Sequence, residues 1–171
     1  QEEVDAIMQL FREYLMEAEE RKEENREKGI ALRFIGDRQG IPEDIQALME
    51  HIEQESQYET KVILNLAINY GGRHEITQGV QEIAQKVKNG ELLPEEITED
   101  VISDHLYTKN HPDPDLIIRP SGEYRLSNFL TWQSAYSEFW FSNVLWPDFT
   151  EENLCEALRE FEKRNRRFGG V

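Results

Sequence analysis

Positive charge is scarce in this sequence: 19 lysines and arginines stand against 35 aspartates and glutamates, a formal net charge of -16. Such a surface repels nucleic acid, so any anionic ligand has to be caught in a locally basic pocket. Cysteine is almost absent. Cys155 stands alone, which excludes an internal disulfide and fits a reducing compartment. Its neighbours Leu154, Ala157 and Leu158 predict a buried helical thiol rather than a nucleophile. No apolar run is long enough to span a bilayer and no secretory signal is visible, so the chain reads as soluble. A start methionine is lacking too. Helical apolar spacing begins at once with Val4, Ile7, Met8, Phe11 and Leu15, which suggests that something preceded Gln1.

What is present is ample material for a core. The 171 residues are 38% hydrophobic, with three Trp, six Tyr and eight Phe, and suit one domain, 1–171. A first helix runs from about Glu2 to Gly29, its end charged and solvated. A short strand at Ile30 to Ile35 follows, then a helix with Ile45, Leu48, Met49 and Ile52 inward and His51 on the polar side. Lys61 to Asn69, KVILNLAIN, is the most strand-like run, apolar on both faces as a central parallel strand would be. Tyr70-Gly71-Gly72-Arg73-His74 opens a helix with an Ile76, Val80, Ile83, Ala84 and Val87 stripe. Its paired glycines either leave helix amides free for a phosphate or serve simple turn chemistry. Later come a short helix ending at Leu106, a strand at Asp115 to Ile118, a short helix from Asn128 to Ser134, and a strand at Glu138 to Ser142. Thr150 caps a last helix with Leu154, Ala157, Leu158 and Phe161 inward. Strands alternating with helices predict an α/β fold, a doubly wound and mostly parallel sheet flanked by helices.

Chemistry concentrates in Arg119 to Glu138. Two arginines, a serine and a glycine follow an apolar strand, and ligands of open α/β sheets sit beyond strand carboxyl ends. The Ser121-Gly122 pair lets the backbone fold back, so that Arg119 and Arg125 can converge on one anion, with Ser127 adding a hydroxyl. The plainer alternative pairs these arginines with Glu123 or Asp115 at the surface. Glu138 also has two readings. It opens an apolar strand, where a carboxylate is costly to bury without a cation. Either Arg119 meets it in a salt bridge, or it is a hard oxygen ligand for Mg2+. His105 and His111 lack ligand spacing, and neither is assigned a metal.

The run DLIIRPSGEYRLSNFLTWQSAYSEFWFSNVLWPDF from Asp115 to Phe149, with NYGGR at Asn69 to Arg73 and RRFGG at Arg166 to Gly170, resembles cis-prenyltransferases of the undecaprenyl diphosphate synthase type. The likeness extends over nearly the whole chain. It implies condensation of isopentenyl diphosphate with an allylic diphosphate, usually farnesyl diphosphate, into a long-chain polyprenyl diphosphate such as the lipid carrier of cell-wall synthesis. By resemblance, Arg119, Arg125, Leu126 and Ser127 hold isopentenyl diphosphate and Glu138 helps bind Mg2+. Arg167 and Gly169 reach the partner's diphosphate site across a homodimer interface. The resemblance further implies a cytoplasmic or peripheral protein whose product partitions to a membrane, and an apolar channel with one wall from the central strand. Alternation puts Val62, Leu64, Leu66 and Ile68 on one face of that strand, with Ile7, Met8 and Phe11 opposite; plain core packing accounts for them equally.

The departures are specific. Tyr124 stands where many relatives carry His. The strand and MDGNGRW-like loop that supply the family's principal metal aspartate, and the TEN-W-RP segment after it, are not in this sequence, so no catalytic residue is assigned and two core strands are expected to lie outside it. The rival readings are a non-catalytic subunit of such a dimer and an unrelated phosphate-binding α/β domain.

Overall fold

The computed structural model describes residues 2–164. They divide into two compact units between Tyr70 and Gly71. The architecture is α/β, with parallel strands flanked by helices, as the sequence predicts.

The first unit opens with α1 (Glu2–Glu20) and α2 (Lys22–Lys28), which break at Arg21. Gly29, in the left-handed region at φ 69°, ends α2 as a residue without a Cβ can. Strand β1 (Ile30–Ile35), helix α3 (Glu43–Glu55) and strand β2 (Val62–Ala67) follow. β1 and β2 run parallel, from Ile30 opposite Val62 to Ile35 opposite Ala67. Leu15, Leu32, Phe34, Ile45, Met49 and Ile52 make the core, and Met8, Phe11, Leu48, Leu66 and Ile68 pack against it. Each such buried side chain contributes about 1.5–3 kcal/mol through area removed from water. The turn after β1 needs glycine: Gly36 sits at φ 126°, and a Cβ there would lie 2.0 Å from the Ile68 carbonyl oxygen.

β2 differs from expectation. Val62, Ile63 and Leu64 are 54%, 43% and 47% exposed, because within this unit β2 pairs with β1 alone and a two-stranded sheet has no central position. The proposed channel set is therefore split. Leu66 and Ile68 pack on the core with Met8 and Phe11, whereas Val62, Leu64 and Ile7 remain about half exposed.

In the second unit α4 (Gly72–Lys88), α5 (Glu99–Ser103), β3 (Leu116–Arg119), β4 (Glu138–Phe141) and α6 (Glu151–Glu162) follow in order. β3 and β4 are parallel, with Leu116 opposite Glu138 and Arg119 opposite Phe141. Thr98 caps α5, its hydroxyl oxygen accepting from the Val101 amide at 3.2 Å. Thr150 caps α6, its amide donating to Asn153 Oδ1 at 2.9 Å.

Three expectations are corrected here. α4 buries Gly72, Glu75, Gly79 and Ile83, while Val80 is exposed. The helix is turned because Glu75, 1% exposed, accepts from the Tyr107 amide at 2.7 Å and from Gln133 Nε2 at 3.2 Å. The stretch from Asn128 to Ser134 is a set of turns and no helix, since Asn128 and Leu130 take φ of 65° and 45°, left-handed values a helix cannot contain. On α6 only Ala157 is fully buried; Leu154 and Leu158 are partly exposed and Cys155 is intermediate rather than buried.

Candidate functional site

A cavity of about 460 Å³ lies in the second unit. Arg119, Ser121 and Arg125 border it together with Leu126 and the aromatic rings of Phe139 and Phe141. Arg119 is brought there by strand register, as the last residue of β3. The chain then reverses: Ser121 and Gly122 take φ of 73° and 67°, and their amides donate to the Val144 and Ser142 carbonyls at 2.7 and 2.8 Å. This reversal returns Arg125 to the cavity that Arg119 borders.

The two guanidinium groups are held differently. Arg119 Nε is buried with no hydrogen-bond partner, so one strong donor of a permanently charged group is left without an acceptor. Arg125 is 63% exposed and forms an ion pair with Glu123, the surface pairing that the sequence left open. Leu126 lines the cavity. Ser127 is exposed and does not border it.

Glu138 stands apart from Arg119. It opens β4 opposite Leu116 while Arg119 closes β3 opposite Phe141, a separation of three residues or about 10 Å of strand. The alternation of side chains along the pair also sets them on opposite faces. The cation that meets Glu138 is Arg164, whose Nη1 donates to Glu138 Oε2 and to the Phe139 carbonyl, each at 2.9 Å. That guanidinium follows α6 and was not legible in sequence, because the signal is a long-range contact over 26 positions.

Glu138 offers one hard oxygen of the type Mg2+ prefers, but among the described residues no group of three His, Cys, Asp or Glu side chains could hold a metal. A single carboxylate suits that ion only where substrate phosphates and water complete the shell. Arg167 and Gly169, assigned above by resemblance to the partner's diphosphate site, lie outside the described residues.

The paired glycines at the start of α4 do not leave its amides free. The Gly72 amide donates to the Asn128 carbonyl at 2.7 Å and the Arg73 amide to Asn128 Oδ1 at 2.9 Å. Asn128 is thus the residue that sequence reasoning missed at this site; its place in the SNF element was the available signal.

Comparison with known proteins agrees along the whole chain. The prenyltransferase family model described as undecaprenyl diphosphate synthase matches residues 1–169. An isoprenyl transferase of Clostridium perfringens is 45% identical over 171 residues, covering 100% of this chain, and one of Halalkalibacterium halodurans is 46% identical over 170 residues, covering 99%. The chain spans 66% and 65% of those relatives, just under two thirds of their length. Among solved structures, lavandulyl diphosphate synthase from Lavandula x intermedia, in complex with dimethylallyl diphosphate, is 38% identical with a TM-score of 0.92, covering 99% of this chain and 72% of that one. A probable undecaprenyl diphosphate synthase from Campylobacter jejuni is 32% identical with a TM-score of 0.82, covering 99% and 76%. By sequence and by fold, this chain belongs to the undecaprenyl diphosphate synthase family of prenyltransferases.

Proposed function

We propose that the protein is a cis-prenyltransferase that condenses isopentenyl diphosphate with an allylic diphosphate, farnesyl diphosphate being the expected primer, to give a long-chain polyprenyl diphosphate such as undecaprenyl diphosphate. The observation that carries this reading is the cavity shared by Arg119 and Arg125, with a buried donor of Arg119 left without an acceptor. The two guanidinium forks that border the cavity match the oxygens of a diphosphate. The apolar lining from Leu126, Phe139 and Phe141 suits the short hydrocarbon part of isopentenyl diphosphate.

Chemically the reaction needs no protein nucleophile. The allylic C–O bond ionises and releases diphosphate as the C–C bond forms, and loss of a C2 proton from the isopentenyl unit, carried off by the released diphosphate or water, restores the double bond. Donors fixed on the diphosphates stabilise the charge that develops. Arg119 and Arg125 bind and orient the isopentenyl diphosphate; Ser127, proposed as a further hydroxyl donor from the same loop, would have to turn toward the cavity, which it does not border. Glu138 is the proposed Mg2+ ligand, and bound Mg2+ would supply Lewis acidity at phosphate oxygens. Arg164 engages Oε2, so Oε1 is the oxygen through which Glu138 would hold the ion. Leu66 and Ile68, with Met8 and Phe11, are the proposed wall for the growing chain, and Val62 and Leu64 extend the same strand face. Assembly as a homodimer, with Arg167 and Gly169 serving the partner, and partition of the product to a membrane complete the proposal. No helix among the described residues is long and apolar enough to cross a membrane.

Incorporation of labelled isopentenyl diphosphate onto farnesyl diphosphate, with and without Mg2+, tests the reading. Mg2+-dependent polyprenyl products are expected; binding of isopentenyl diphosphate without any incorporation would instead indicate a non-catalytic subunit.

A further inference from the structure

Asn128 bridges two segments that are distant in sequence. Its backbone carbonyl accepts from the Gly72 amide at 2.7 Å and its Oδ1 from the Arg73 amide at 2.9 Å. These are first-turn donors of α4, which no carbonyl of the helix itself can serve. The approach is close: a Cβ on Gly71 would lie 2.9 Å from Asn128 Nδ2, and one on Gly72 would lie 2.5 Å from Thr131 Oγ1. The paired glycines therefore admit this chain's own loop.

The loop is held in a costly shape. Ser127 and Asn128 take consecutive left-handed φ values of 50° and 65°, and Leu130 takes 45°. Non-glycine residues persist there only when their surroundings impose it. Asn tolerates this region better than most residues. Leu126, two positions back, borders the arginine cavity on one side and the recess formed with Arg73, Asn128 and Thr131 on the other. Arg119 needs no such anchor, since β3 fixes it.

We infer that Asn128 is a positioning residue: by docking its loop on the amino terminus of α4, it fixes where Arg125 stands in the diphosphate cavity, while leaving Arg119 untouched. The inference rests on the isopentenyl diphosphate reading of that cavity.

The test is calorimetric binding of isopentenyl diphosphate to the full chain and to Asn128→Ala, Arg125→Ala, Arg119→Ala and the two double variants. Losing the acceptor for the Arg73 amide should weaken binding about tenfold in Asn128→Ala. Because the loss acts through Arg125, the Asn128→Ala/Arg125→Ala pair should match Arg125→Ala within about twofold. On Arg119→Ala, the same change should weaken binding by its full factor. Should Asn128→Ala fail to fold, Asn128→Asp keeps the acceptor at the favourable end of the helix dipole and should bind within about threefold of wild type. Unchanged binding in Asn128→Ala, full additivity with Arg125→Ala, or an Asn128→Asp loss of tenfold or more overturns the inference alone. No binding by the wild type, or none lost in Arg125→Ala, overturns the cavity's assignment and the inference with it.

Discussion

Arg164 holds Glu138 at 2.9 Å with both side chains 32% exposed. The carboxylate that the family resemblance offers to Mg2+ already has a cation, and it lies about three strand positions from Arg119 rather than against it. Arg164 engages only Oε2 of the carboxylate, so a metal on Oε1 and this ion pair are compatible, and the anion cavity can be probed without either.

Glu138→Ala should abolish Mg2+-dependent incorporation of isopentenyl diphosphate while calorimetric binding of that ligand without metal stays near wild type. The fold should hold, since a partly exposed pair contributes no more than about 1 kcal/mol. Unchanged turnover would remove Glu138 from the metal proposal.

Arg119→Ala should weaken isopentenyl diphosphate binding by about 2–4 kcal/mol, the cost of deleting one partner of a buried charge-assisted contact. Its thermal midpoint should change little, because Arg119 Nε gives up no hydrogen bond within the protein. A wild-type isotherm would show that the cavity does not bind this diphosphate.

Glu75→Ala should lower stability in urea by about 1–3 kcal/mol for each donor stranded. The donors at stake are the Tyr107 amide and Gln133 Nε2. Loss of cooperativity or a lowered midpoint is expected; an unfolding curve superimposable on wild type would contradict the buried network.

The Arg12 guanidinium, hydrogen-bonded to Asp44 at 2.7 Å, holds the Asp44 carboxyl below its usual range. A depressed folded-state value contributes stability above the unfolded carboxylate range near pH 3.9, and that contribution disappears as pH falls through the folded value. Asp44→Asn should therefore lower the thermal midpoint slightly at neutral pH, with the gap to wild type closing in acid. A gap that stayed constant from pH 7 to pH 2 would refute the linkage.

Element identity was legible where the hydrophobic period was long. β1 fell on the residues expected, α3 buried Ile45, Met49 and Ile52 as its spacing required, and Gly29 ended the first helical stretch. The Asn128 to Ser134 stretch has a helical composition, which cannot reveal a loop forced into left-handed backbone by contacts 55 positions away. α4 departs from its apolar stripe for a related reason: its inward face is set by a buried carboxylate, which no apolar count would select.

The sequence by itself determined the family, the α/β class and the two arginines, since ordered motifs and apolar periods are local properties that survive without coordinates. Only the tertiary structure decided which cation meets Glu138, that Arg119 and Arg125 border one cavity, and that α4's first amides belong to Asn128. Those are pairings between distant segments, fixed by strand register and by the need of every buried donor for an acceptor, and neither constraint is written in any single stretch of chain.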